Sequence, residues 1–276
     1  MTDREVPSRR ELIRQGVTVL RREGVGAATR AGLRVLDLNY QGYYYYYGRY
    51  LYRRLRGSAS TAEPFTVLRI DPMEISHHTG GEIDRWDDLG AVIGGEWDRI
   101  DYPLTELIKY RSVVDRFENG TPWEETDLYR EAMERVQRGE PFWNDCLTVE
   151  DVNRRTEHVE ALFERIRDQG YRSQEELHGK PLGEIVLSRR FDRSMEEIAV
   201  AIGRNGEFRF VDGNHRLAIS HVLDLESIPV HVVARHPEWE ATREKARNVT
   251  GRNEKDERET QYRGHPDLEE LGDENA

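Results

Sequence analysis

The chain has 276 residues, 53 acidic against 41 basic, a formal net charge of −12, and 37% hydrophobic and 34% charged residues. That length can bury one large core or two small ones, and the acid excess argues against a general nucleic-acid binder and so disfavours DNA as a partner. With Cys146 the single cysteine and no apolar run near the roughly 20 residues of a membrane helix, an internal disulfide is excluded and a cytoplasmic protein is expected.

Only Lys109, Lys180, Lys245 and Lys255 are lysines among the basic residues. An acidic surface with arginine in place of lysine has the look of a halophilic protein. In that setting charge is set by the solvent and says less about partners.

Residues 1–57 form a basic, Tyr-rich arm in which twelve arginines face five acids. Leu12, Ile13, Val17 and Leu20 make a helical apolar stripe, and the run Tyr43 to Tyr47 follows. The arm reads as a solvated helical extension. Three binding alternatives stay open: an anionic membrane surface, a polyanion, or an acidic face of the same chain.

Residues 58–245 are expected to hold the main domain. Gly57 to Pro64 has linker composition, and Phe65 to Ile70 reads as a strand stopped by Asp71-Pro72. His77-His78 is no metal pair, because adjacent side chains diverge and no carboxylate or cysteine spacing accompanies them. Residues 81–104, with Trp86, Trp97 and Tyr102, read as a packed loop in which Asp98 serves packing. A helical insertion is expected over 105–180. Thr121 looks like a cap, Gly139 to Pro141 a break, and Ser173 with Glu176 a capping box. Cys146, beside Trp143 and Leu147, reads as core.

Ile198 to Ile202 and Phe208 to Val211 read as a hairpin around Asn205-Gly206, a pair suited to a type I′ turn. Asp212-Gly213 breaks the second strand, and Asn214 is placed as the N-cap of a short helix holding Ala218, Ile219 and Val222. Ile228 to Val233 is the next strand. Residues 251–276 are almost devoid of apolar side chains, and 246–276 are expected to form a disordered acidic tail.

The turn at Asp212 concentrates the chemistry. His215 and Arg216 sit in a first helical turn, where cations run against the helix dipole and where a stability-driven sequence places acids. Free N–H groups, an imidazole and a guanidinium converging there suit a phosphate or carboxylate. If the strands at 208–211 and 228–234 run parallel through a right-handed crossover, Arg235 and His236 end at the same sheet edge. Glu196 and Glu197, at the start of the antiparallel hairpin strand, lie there too. They read first as a solvated strand entrance and second as a base or Mg²⁺ ligand.

With its flanking strand, helix and strand, Asp212-Gly213-Asn214-His215-Arg216 resembles the core of the ParB/sulfiredoxin-like superfamily, over roughly residues 184–240. The resemblance implies an α+β fold: a small mixed sheet with a helical insertion and an N-terminal helical arm. It also implies a phosphate-cradling role for Gly213, His215 and Arg216, with ATP or CTP and Mg²⁺ as ligands. Sulfiredoxins carry a cysteine where Asn214 stands, which removes sulfinic-acid repair.

Three functions follow as expectations. The first is a protein binding a nucleotide or phosphorylated small molecule, with Gly213, Asn214, His215, Arg216, Arg235 and His236 on phosphate and Glu196 or Glu197 as base. As an enzyme it would be a nucleotide hydrolase or small-molecule kinase. The second is a non-catalytic adaptor docking through its basic arm. The third, disfavoured by charge and by the lack of room for DNA-binding helices after the motif, is a DNA-associated nuclease or partition factor.

Overall fold

The computed structural model describes residues 47–143, 146–179, 197–249, 262 and 264–273. It is a mixed α+β fold around one six-stranded sheet. In chain order the described elements are α1 (47–55), β1 (Val67–Ile70), β2 (His77–His78) and β3 (Ala91–Val92). Then come α2 (Ile108–Phe117), α3 (Asp127–Gln137), α4 (Val149–Gln169) and α5 (Gln174–His178). Last are β4 (Ile198–Ile202), β5 (Phe208–Asp212), α6 (Asn214–Val222), β6 (Ile228–Arg235), α7 (Pro237–Val249) and α8 (Pro266–Asp273).

The strand order is β1-β6-β4-β5-β2, with β3 also pairing β6. β4 is central and every residue of it is buried. Its alternation divides the core. Ile198, Val200 and Ile202 face a cluster with Leu68, Phe210, Leu217 and Trp239. Ala199 and Ala201 face Ile83, Trp97 and Val233. Alanines on that second face let the irregular 81–100 segment lie close to the sheet.

The hairpin forms, with different turn chemistry from that expected. Gly203 O accepts from Gly206 N (3.1 Å), and Gly206 (φ 87°) has positive φ whereas Asn205 does not. This is a three-residue turn closed by a left-handed glycine rather than type I′. Asp98 locks it, accepting from Arg204 N (2.9 Å), Nε (2.7 Å) and Nη2 (2.8 Å). Burial pushes the Asp98 carboxyl up, yet the Arg204 bonds and nearby His236 outweigh it and hold it at about 2. The packing role read for Asp98 stands.

β5 and β6 are not parallel. β4 pairs parallel with β6 and antiparallel with β5, so β5 and β6 run in opposite directions with β4 between them. No crossover links them. The chain leaves β5 opposite Ala199 and enters β6 two residues before Val230, the partner of Ile198, so both lie at one end of the sheet, and α6 joins them with Leu217 packed on the Ile198 face.

The insertion is helical as expected. Thr126, not Thr121, caps α3, and Ser173 with Glu176 makes the capping box of α5. α2, α3, α4 and α6 share an apolar core containing Val113, Leu128, Val152, Val159 and Ile219. Cys146 is buried there.

Two composition-based boundaries shift. The linker-like stretch is docked: Ser60 Oγ and Thr61 N donate to Glu240 at 2.8 and 2.7 Å. The acidic tail contains α8, whose Asp267 is fully buried. His265 stacks on Phe208 with centroids 5.0 Å apart. Of the N-terminal arm, residues 1–46 lie outside the described residues. In its described part Tyr50 is buried, Arg49 pairs with Asp87 (3.2 Å) and Arg53 with Asp88 (3.0 Å), so this stretch packs on acids of its own chain. Among the described residues no helix is long and apolar enough to cross a membrane.

Candidate functional site

The site grows from the end of β5. Gly213 adopts φ 106°, ψ 32°, a left-handed conformation in which a Cβ would stand 3.1 Å from Ile198 Cα. Glycine is therefore required, and the strand turns straight into α6. Gly213, not Asn214, is the N-cap residue, and its carbonyl accepts from Leu217 N at 3.1 Å. Asn214 takes the first helical position, and its buried Oδ1 has no hydrogen-bond partner among the described residues. Asp212 Oδ1 accepts from Gly213 N at 2.7 Å, which braces the turn.

His215 is half-buried beneath the helical insertion. Trp143 donates its indole N–H to His215 Nε2 at 3.0 Å. An indole nitrogen can only donate, so Nε2 must accept and the imidazole carries its proton on Nδ1. Burial, then the charges of Arg155, Lys109 and Arg216, push the His215 pKa down to about 3. The ring expected to be a cation is a neutral hydrogen-bonding group. Trp143 holds φ 47°, a left-handed conformation rare for a bulky residue. Backbone strain of this kind concentrates at functional sites.

The cations come from three helices. Lys109 starts α2, Arg155 lies on α4 and Arg216 on α6. Burial and then the Arg216 charge pull the Arg155 guanidinium below its usual range, opposed by Cys146. Its buried Nε has no partner among the described residues. Arg216 thus lies in the first turn of α6, at the positive end of a helix, where an anion is the favoured ligand.

A carboxyl group stands beside them. Glu197 is 1% exposed, not the solvated strand entrance expected of it. Its Oε1 accepts from Gln174 N at 2.5 Å, and its Oε2 is buried without a partner among the described residues. Burial pushes its pKa up to about 7, against the Gln174 N–H and the charges of Arg216 and Arg85. Arg85 donates from Nη2 to the Glu197 carbonyl and from Nη1 to Asp212 Oδ2 (3.3 Å), tying β4 to the turn. Burial and Glu197 raise the Tyr171 hydroxyl to about 12, opposed by the adjoining Arg216 and by Arg85. Glu196 lies outside the described residues.

Arg235 and His236 are elsewhere. The register sets Arg235 beside Ile202, at the hairpin-turn end of β4, whereas Asp212 lies opposite Ala199. Because β6 runs against β5, its carboxyl end points away from the α6 N-terminus. Arg235 is buried and pairs with Asp267 through Nη2 (2.5 Å) and Nε (3.0 Å). His236 is buried against Gly95 O at 3.3 Å. The parallel crossover assumed from sequence had brought both to the wrong edge.

Arg85, Tyr171, Trp143, Arg155 and Lys109 were not legible as site residues. Each lies outside the motif, Lys109 and Arg155 on helices whose pattern reports only packing and Arg85, Trp143 and Tyr171 in connecting segments. Among the described residues no group of three or more His, Cys, Asp or Glu is placed to hold a metal ion. No family model, curated protein or solved structure matches this chain.

Proposed function

We propose that this is a ParB/sulfiredoxin-like protein that binds a nucleotide or phosphorylated small molecule at the N-terminus of α6. One arrangement carries the reading: a left-handed glycine turn opens a helix whose first turn holds Arg216 and a His215 kept neutral by the Trp143 bond and by burial. The backbone N–H groups after Gly213, the His215 Nδ1–H and the Arg216 guanidinium would hold phosphate oxygens. Glu197, with a pKa of about 7, suits a general base that takes a proton from water or an acceptor hydroxyl. With ATP or CTP bound, its open Oε2 would also fit as the one carboxylate of a Mg²⁺ shell completed by phosphates and water. Nucleotide hydrolysis or transfer to a small acceptor fits this inventory, because phosphoryl transfer needs chiefly positioning and charge stabilisation.

Calorimetry with ATP and CTP, with and without Mg²⁺, tests the reading. Saturable binding that disappears in Arg216→Ala while circular dichroism is unchanged supports it. No heat at millimolar nucleotide overturns it.

A further inference from the structure

A small, solvent-open cleft lies between the last turns of α4, the turn at Gly170 and α5. Its wall is apolar, with Leu162 and Ile166 from α4 and Leu177 from α5. Arg165, Arg172 and Arg216 stand around it, and no acid is among its lining residues. In a chain where acids outnumber bases, that local composition runs against the whole.

The local folding explains how the lining assembles. Leu162, Arg165, Ile166 and Gln169 follow helical spacing, so one stripe of α4 faces the cleft. Gly170 (φ 74°) ends α4 and swings the chain back, bringing Arg172 over the start of α5. Arg172 donates to Glu176 O at 2.8 Å, which steadies it there. The nearby Glu176 carboxylate is engaged by Ser173 N (2.7 Å) and by Arg69, so it does not neutralise the cleft. Leu177 remains 43% exposed on this wall.

We propose that this cleft binds a small organic carboxylate with an apolar body. The arginine forks match the planar anion, and the leucines and isoleucine take the carbon skeleton. Arg216 is shared with the α6 phosphate cluster, and a monoanion repels a neighbouring phosphate less than a second phosphate would. The choice of carboxylate rests in that respect on the phosphate reading.

The test is calorimetry on the full chain with 3-phenylpropionate, acetate and 3-phenylpropylamine as probes. The expected result is saturable millimolar binding of 3-phenylpropionate, about tenfold weaker binding of acetate, and none of the amine. The doubly substituted Arg165→Glu/Arg172→Glu chain, altered only at exposed positions, should bind 3-phenylpropionate at least about tenfold more weakly with an unchanged melting temperature. A Leu177→Glu chain should lose the preference for 3-phenylpropionate over acetate. Equal binding of the amine, no binding of 3-phenylpropionate, or affinity untouched by the double substitution overturns the proposal. If ATP alone binds, and binds less in the double variant, the cleft belongs to the nucleotide and the proposal falls. If 3-phenylpropionate binds and nucleotide does not, the carboxylate site stands while the phosphate reading fails.

Discussion

Trp143 donates its indole N–H to Nε2 of His215 across 3.0 Å, and that bond decides the chemistry of the imidazole. An indole cannot accept, so the ring is fixed as an acceptor at Nε2 and a donor at Nδ1. The cations beside it then oppose protonation instead of adding to its charge.

The first prediction concerns acid. His215 is depressed to about 3 and His231, buried against Pro64 O, to about 4. The unfolded chain binds protons at both near the ordinary 6.5, so it takes up more protons than the fold as pH falls. Their stabilising contribution is complete above 6.5 and is lost progressively through 4 toward 3. Urea melts between pH 8 and 4 should show that decline, and NMR titration should leave the His215 ring unprotonated at pH 5. Trp143→Phe orphans Nε2 and should cost about 1–3 kcal/mol at pH 7.

Glu197 has the opposite sign. Its carboxyl is raised from about 4.5 to about 7, so the fold retains a proton that the unfolded chain releases. The stability tied to that proton is present below 4.5 and lost as pH rises through 7. Glu197→Gln keeps an oxygen for the Gln174 N–H and removes the buried charge. The variant should be more stable than the native protein by about 2–3 kcal/mol at pH 8 and nearly equal at pH 4, measured by chemical denaturation. Any nucleotide turnover should fall in the same variant while nucleotide binding remains.

The sequence showed the elements better than their arrangement. β4 is an unbroken apolar run, β6 is apolar apart from His231 and its terminal Arg235, and the Ser173-Glu176 box follows from local hydrogen bonding, so these could be read from neighbours along the chain. Strand direction could not: with β4 inserted between β5 and β6, helix spacing alone suggested a crossover that the pairing forbids. The turn at Gly213 was legible because its conformation depends on one residue. The charges that act on His215 were not, because Lys109, Arg155 and Arg216 belong to three different helices. α8 was hidden by charge: Asp267 counts as one more acid in an acidic tail until Arg235 and Arg243 are seen beside it.

Gly213 tests the turn itself. A Cβ there would meet the Ile198 backbone at 3.1 Å, and φ 106° lies outside the range that side chains favour. Gly213→Ala should therefore cost about 1–3 kcal/mol in thermal or urea melts and weaken anion binding by displacing the first N–H groups of α6. An alanine variant as stable as the native protein would mean the turn relaxes freely, and the preformed cradle would go with it.

Asp267 is the last test, and it concerns the arginine that sequence had assigned to phosphate. Its carboxylate takes Arg235 Nε and Nη2, Arg243 Nη1 (2.7 Å) and Trp239 Nε1 (2.8 Å) in a fully buried setting. Burial alone would raise its pKa, but the charge and bonds of Arg235, then Arg243 and Trp239, hold it below the usual value. The stability this adds is present above the ordinary 3.8 and is lost as pH falls through the lower folded value. Asp267→Asn removes the carboxylate that two buried guanidinium groups share, and breaking a buried ion pair in this way costs about 3–5 kcal/mol. Truncation before residue 262 removes the same carboxylate and should destabilise at least as much, with Trp239 fluorescence reporting the change. If either variant melts like the native protein, α8 is not what neutralises Arg235.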